Sequence, residues 1–311
     1  VRLCTKAGCV RRYGKRISSN DTGCSIRIFQ CSRARVFLDK SNVRVGQGLS
    51  FSPDQVTCSI LIKSFPKDFG WLSYCLKSIH KFALGFEEVV VVIPEGSDLP
   101  LTAERLVKVH EPGPSATNAG HHGAGYAFQQ VVKMNADKYC KSDFVLHIDS
   151  DTIFTRPVNP LSFIYQQASV CADGSWVEMK PMWLMTPFKD ILPTDKNLVA
   201  HVEAMRNFSG IDPEFEYMRR MGQVIPRWAY GCFREYCLSK HGKTFEQYAM
   251  SQGFRGISEF NLIGQFLHRE FPNFIHFHDT RFGVPESVVM QSWSWNGITP
   301  EIRDKMEKIL A

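Results

Sequence analysis

Glu88–Pro94 reads Glu-Val-Val-Val-Val-Ile-Pro, and few folds can accept it. A strand with one wet face alternates apolar and polar residues. An unbroken β-branched run must be covered on both faces, as in the interior of a parallel sheet flanked by helices, and the proline stops it. Its neighbours agree. Cys58-Ser59-Ile60-Leu61-Ile62-Lys63-Ser64-Phe65 is an apolar run of strand length ending in polar residues. Between the two, Trp71, Leu72, Cys75, Leu76, Ile79 and Phe82 recur at helical spacing. Strand, helix, strand implies a parallel crossover. Arg105 to His110 reads as a weaker third strand, and residues 111 to 125 as a Gly/Pro/Ser/His loop. Tyr126 to Tyr139 reads as a helix feeding the strand Asp143 to Asp149. The fold class expected is α/β, with a Rossmann-like, mostly parallel sheet flanked by helices.

Beyond Pro160 the alternation weakens. Ser169 to Met185 suggests one or two strands, and helices are expected over 196–208, 213–221, 228–250 and 259–270. Ligands of open parallel sheets sit beyond the carboxyl ends of the strands, so this helical second half is expected to supply the acceptor-side wall. The 311 residues, 44% hydrophobic and 22% charged, form an ordinary globular composition, and no apolar run is long enough to span a bilayer. The division expected is an arm over residues 1–53, of undecided order, and one catalytic-type domain over 54–311. Residues 1 to 46 carry eleven Lys/Arg against Asp21 and Asp39, whereas the whole chain is only +6. The basic arm is compatible with peripheral association at an anionic membrane surface or with a solvated leader, and no nucleic-acid partner is expected for the main domain. Ten cysteines include no CxxC pair, which argues against a zinc module. Asn20-Asp21-Thr22 and Asn207-Phe208-Ser209 match the N-glycosylation pattern, which would suit a secretory lumen in a eukaryote; the compartment stays open, since a bacterial or viral chain would be cytoplasmic or membrane-peripheral.

The chemistry centres on Asp149-Ser150-Asp151. The apolar strand Phe144 to Ile148 delivers these residues at its carboxyl end, and alternation puts both carboxylates on one side. Two hard oxygen donors there can hold Mn²⁺ or Mg²⁺, which would neutralise charge building on a diphosphate leaving group. Paired turn aspartates are the purely structural alternative. A haloacid-dehalogenase-type phosphohydrolase uses a similar DxDx(T/V) motif, but after its first strand; here the fifth position is Ile153 and at least two strands precede the motif. A non-catalytic carbohydrate- or nucleotide-sugar-binding protein is the other rival.

The ordered series of first strand, Glu-Val-Val-Val-Val-Ile-Pro, Gly125-Tyr126-x-x-Gln129-Gln130-x-x-Lys133 and His147-Ile148-Asp149-Ser150-Asp151 resembles the GT-A glycosyltransferases. Tyr217-Met218-Arg219-Arg220, Pro226-Arg227-Trp228, Gly256-Ile257-Ser258-Glu259-Phe260-Asn261-x-x-Gly264 and Ser292-Trp293-Ser294-Trp295-Asn296-Gly297 resemble a DUF-type branch of that superfamily, over roughly residues 56 to 311. The resemblance implies a nucleotide-sugar donor, a hydroxyl-bearing glycan or glycoconjugate acceptor and a divalent metal, Mn²⁺ or Mg²⁺. It places Lys63, Ser64 and Phe65 near the nucleotide, with Asp68 as a companion. Gln129, Gln130 and Lys133 would lie toward donor phosphate or sugar hydroxyls, although a solvated helical face would read the same.

Ser258-Glu259-Phe260-Asn261 offers Glu259 as the base for an attacking hydroxyl, with Asp151 as its catalytic counterpart on the metal side. The same four residues also read as ordinary helix-start chemistry. Asn261 joins the acceptor-side candidates. Phe274 to Asp279 alternates like a strand, with His276 and His278 on one face, and a C-terminal His in such enzymes implies a further metal ligand. Arg281 could pair with diphosphate. Trp228, Trp293 and Trp295 are candidate stacking platforms for an acceptor sugar, or core. His121 and His122 lie in a Gly-rich loop that could close over donor, and there is no P-loop signature.

Overall fold

In the computed structural model, the described residues are 56–99, 106–111, 124–171, 174–218, 222–253, 255–294 and 297–311. The chain is α/β, built on a five-stranded sheet. β1 (Cys58–Lys63) is followed by α1 (Phe69–Phe82), β2 (Glu88–Pro94), β3 (Leu106–Glu111), α2 (Ala124–Lys133) and β4 (Phe144–Asp149). Strand order is β3-β2-β1-β4, all parallel, and β9 (Gln223–Pro226) closes the far edge antiparallel to β4. The chain builds outward from β1 on one side and then returns to lay β4 on the other. Strand order therefore reverses at the carboxyl ends of β1 and β4, the position at which open parallel sheets bind their ligands. In register, Lys63 stands opposite Asp149 across that point.

Period-two alternation in these strands feeds two cores. Ile60, Ile62, Val89, Val91, Ile93, Leu146 and Ile148 pack beneath Leu72, Cys75, Leu76 and Ile79 of α1. Leu61, Val90, Val92 and Val145 pack on the opposite face beneath Phe128, Val131 and Val132 of α2. The valine run is buried on both faces because a helix covers each.

The second half contains β5 (Thr152–Phe154), β6 (Ile164–Cys171), β7 (Gly174–Pro187), α3 (Phe188–Ile191), α4 (Val199–Ser209), β8 (Phe215–Glu216), and then β9. α5 (Arg227–His241), α6 (Phe245–Met250), α7 (Glu259–Glu270), β10 (His276–Asp279), β11 (Val289–Gln291) and α8 (Pro300–Leu310) complete it. A second sheet runs β10-β7-β6, with β8 on β7, and β11 pairs with β5. This half is thus more β-rich than its sequence pattern suggests. The helix expected over 213–221 is absent among the described residues: Phe215 and Glu216 pair with β7, and the Tyr217 amide donates to the Asn261 side chain at 2.7 Å. The helix expected over 228–250 is two helices, broken at Gly242, whose φ of +67° ends α5, with a Thr244/Gln247 capping box restarting α6.

α8 returns to α1, where Met306 is buried with Trp71 and Ile153, and the Tyr74 hydroxyl donates to Glu307 at 3.0 Å. Cys58, Cys75, Cys140 and Cys237 are buried free thiols, whereas Cys232 is disulfide-bonded. No helix among the described residues is long and apolar enough to cross a membrane. The arm over residues 1–53, His121, His122 and Trp295 lie outside the described residues.

Candidate active site

At the reversal point β4 ends on Asp149, and the chain turns through Ser150 and Asp151 into β5. The turn is pinned from the C-terminal segment. The Ser292 amide donates to the Asp151 carbonyl at 2.9 Å, and the Ser294 amide donates to Asp151 Oδ2 at 2.9 Å. The other oxygen, Oδ1, is buried with no hydrogen-bond partner among the described residues. Burial, and then the neighbouring Asp149 charge, push the Asp151 carboxyl up to about 6. The nearby Asp68 carboxyl is also raised, by burial, and its side chain bonds to Ser294.

Behind this turn lies a buried ion cluster. Lys133, at the end of α2 and 4% exposed, places its ammonium 2.9 Å from Asp149 Oδ1 and 3.0 Å from Glu259 Oε1. It also lies 5.0 Å from the centre of the Phe260 ring. Burial alone would lower the lysine's pKa, but the two carboxylates outweigh it and the group is held charged, above its usual range. Glu259 opens α7; its backbone amide donates to Gln130 Oε1 at 3.0 Å. Tyr126, Gln130 and Lys133 recur at intervals of four and three residues, so they share one stripe of α2, and this stripe faces the start of α7. The Tyr126 hydroxyl is pushed up to about 12, by burial and then by Glu259. Beneath the cluster His147 bonds through Nε2 to the Tyr230 hydroxyl at 2.5 Å. Burial, and then Lys133, hold that imidazole neutral.

At the end of β1, Lys63 is buried. Its ammonium donates to the carbonyls of Ser64 at 3.0 Å and Val92 at 3.5 Å and lies 4.2 Å from the centre of the Phe65 ring. Burial lowers its pKa to about 8, partly offset by Glu111. The Ser64 hydroxyl is fully buried and has no hydrogen-bond partner among the described residues.

Several sequence expectations separate from this cluster. Lys133 meets two carboxylates, so it is not a free cation waiting for donor phosphate. Glu259 is 3% exposed and engaged by that ammonium, a closed position for an acceptor-facing base. Gln129 is half-buried and, three residues from Tyr126 and four from Lys133, borders the same stripe. His276 and His278 belong to the second sheet, opposite Met182 and Leu184 of β7. His276 stacks on Tyr165 at 3.7 Å, and His278 Nε2 bonds to the Gly283 carbonyl at 2.8 Å. Among the described residues no three His, Cys, Asp or Glu side chains are gathered as a metal cage, so neither imidazole completes the pair Asp149 and Asp151.

Arg281 is committed to Asp279, through contacts of 2.5 to 3.1 Å. Trp228 is core, packed edge-on against Phe271 and Phe274, with no face open to a sugar. Asn261 is fully buried and structural: it accepts from Tyr217 and donates to Ser258. Trp293, by contrast, is 56% exposed and adjoins the Ser294 that binds Asp151. The Ser294 amide and Tyr126 were not anticipated. Tyr126 had a signal, its helical spacing from Gln130 and Lys133; a backbone amide from a distant loop has none.

A hard divalent cation suits the donor set at the turn, because Asp151 Oδ1 is a buried carboxylate oxygen without a partner beside a second carboxylate, Asp149, whose side chain is 24% exposed. No protein-family model matches the chain, and no curated protein matches it.

Proposed function

We propose that this chain is a metal-dependent glycosyltransferase of the GT-A type, moving a sugar from a nucleotide-sugar donor to a hydroxyl-bearing acceptor. The observation that carries the reading is the position of Asp149-Ser150-Asp151: the carboxyl end of β4, beside β1, where the parallel order reverses, the place at which sheets of this kind bind ligands. The unpartnered oxygen of Asp151 supports a metal-holding role for the pair, with Asp149 and Asp151 as the ligands. Bound there, Mn²⁺ or Mg²⁺ would supply electrostatic stabilisation of a diphosphate leaving group. The buried, unpartnered Ser64 hydroxyl at the neighbouring strand end supports donor binding on the β1 side. The exposed Trp293 is the aromatic candidate that supports acceptor stacking. Placement of the motif after the fourth strand of the sheet disfavours the phosphohydrolase reading.

Incubation with a panel of nucleotide sugars and Mn²⁺ tests the proposal. Release of nucleoside diphosphate, lost on adding a chelator, is the expected outcome. Release of inorganic phosphate would identify a phosphohydrolase, and binding without turnover a carbohydrate- or nucleotide-sugar-binding protein. At saturating metal and donor, Glu259→Gln then separates its two roles: a general base loses roughly 10² to 10⁴-fold in turnover, an ion-pair partner far less.

A further inference from the structure

One ammonium serves two carboxylates that belong to different parts of the chain, Asp149 at the end of β4 and Glu259 at the start of α7. With contacts of 2.9 and 3.0 Å to a single nitrogen, the two oxygens lie at most about 6 Å apart. The Lys133–Glu259 half of the contact is almost dry, with the two residues 4% and 3% exposed, so solvent screens it little, whereas the Asp149 side chain is 24% exposed. A second link, Gln130 to the Glu259 amide, fixes α7 to the same face of α2. The ammonium is therefore held where it must divide its attraction between a carboxylate proposed to hold metal and one proposed not to.

We infer that Lys133 is an internal counter-cation that competes with the divalent metal for Asp149 and couples metal loading to Glu259. The inference rests on the metal-site reading above. A cation arriving at Asp149 and Asp151 repels the ammonium, which is already in contact with Asp149; its remaining anionic partner is Glu259, so its interaction shifts there. Glu259 thereby lowers the cost of metal entry without touching the metal. Lys133 is in this sense a positioning residue. A lysine that merely braced α2 against α7 would, on removal, loosen the site and weaken metal binding. A competing cation has the opposite sign.

Calorimetric titration of the whole chain with Mn²⁺ alone decides the matter. Lys133→Met should tighten Mn²⁺ binding tenfold or more, and Glu259→Gln should weaken it severalfold, because the ammonium is then left wholly to Asp149. In Lys133→Met/Glu259→Gln the penalty of the second change should shrink. If Lys133→Met does not fold, Lys133→Gln keeps hydrogen-bonding capacity without charge and carries the same expectation. Mn²⁺ binding by the wild type that is unchanged or weakened in the folded neutral variant overturns the counter-cation role and leaves the metal site standing. Wild-type protein that binds no Mn²⁺, or binding unaffected by Asp149→Asn and Asp151→Asn, overturns both.

Discussion

Gly264 lies in the middle of α7, the helix that begins with Glu259, and a single methyl group there tests how tightly that helix is seated. A Cβ at this position would sit 2.7 Å from both Cβ and Cγ of Tyr217 and 2.8 Å from Cζ3 of Trp183. Carbon atoms prefer about 3.5 to 4.0 Å, so three contacts are too short by most of an ångström. Neither neighbour can yield cheaply. Tyr217 is held by its amide on Asn261 and its hydroxyl on His268 at 2.8 Å, and Trp183 by its indole N–H on the Val224 carbonyl at 2.7 Å. Overpacking of this kind costs about 1 to 3 kcal/mol, while alanine regains about 1 kcal/mol of helix propensity over glycine. Contacts at the rooted part of a side chain put the cost at the upper end, for a net loss of about 2 kcal/mol. Urea unfolding at constant m-value is the assay, with a midpoint about 1 M lower for an m-value near 2 kcal/mol/M. Gly125, in the first turn of α2, is the control: a Cβ there meets nothing within 4 Å, so Gly125→Ala should be neutral or slightly stabilising. Equal midpoints for Gly264→Ala and wild type would refute the close seating of α7 on Tyr217 and Trp183.

Asp149→Asn and Asp151→Asn should each lower Mn²⁺ affinity at least tenfold in calorimetry while the far-ultraviolet circular dichroism is unchanged, since both residues lie at a strand-end turn; a change in fold with intact affinity would contradict the assignment. Trp228→Ala should cost about 3 to 5 kcal/mol in denaturant unfolding, as expected for an emptied aromatic core position, and a stable variant impaired only in acceptor use would return Trp228 to the site. Lys63 gives a pH signature. Its folded-state value of about 8 lies below its ordinary 10.5, so between these values the unfolded chain binds more protons and stability rises with pH, by roughly 3 kcal/mol in total. The stability difference between wild type and Lys63→Met should therefore shift in favour of wild type from pH 8 to 10, and a flat difference would show that Lys63 is not desolvated.

Local repetition wrote much of the fold into the sequence. The valine run from Glu88 to Pro94 and the apolar strand before Asp149 could be read directly, because alternation and β-branching act within a few residues. The start of α7 at Glu259 was legible for the same reason. Where partners are distant the pattern failed: Phe215 and Glu216 became a strand only because β7 offers an open edge, whereas the break of 228–250 into two helices is local, at a left-handed Gly242 followed by the Thr244/Gln247 capping box. The site divides along the same line. Asp149 and Asp151 were identifiable as a pair because a strand end presents them together. What Lys133 meets was not, since its partner Glu259 is 126 residues away and only the packing of α2 against α7 brings them into contact. His276 and His278 show the converse: alternation correctly set them on one face, but β10 joins β7 in the second sheet. The sequence determined which residues share a face; tertiary packing decided what each face meets, because contacts between distant segments follow from which apolar surfaces can be buried together.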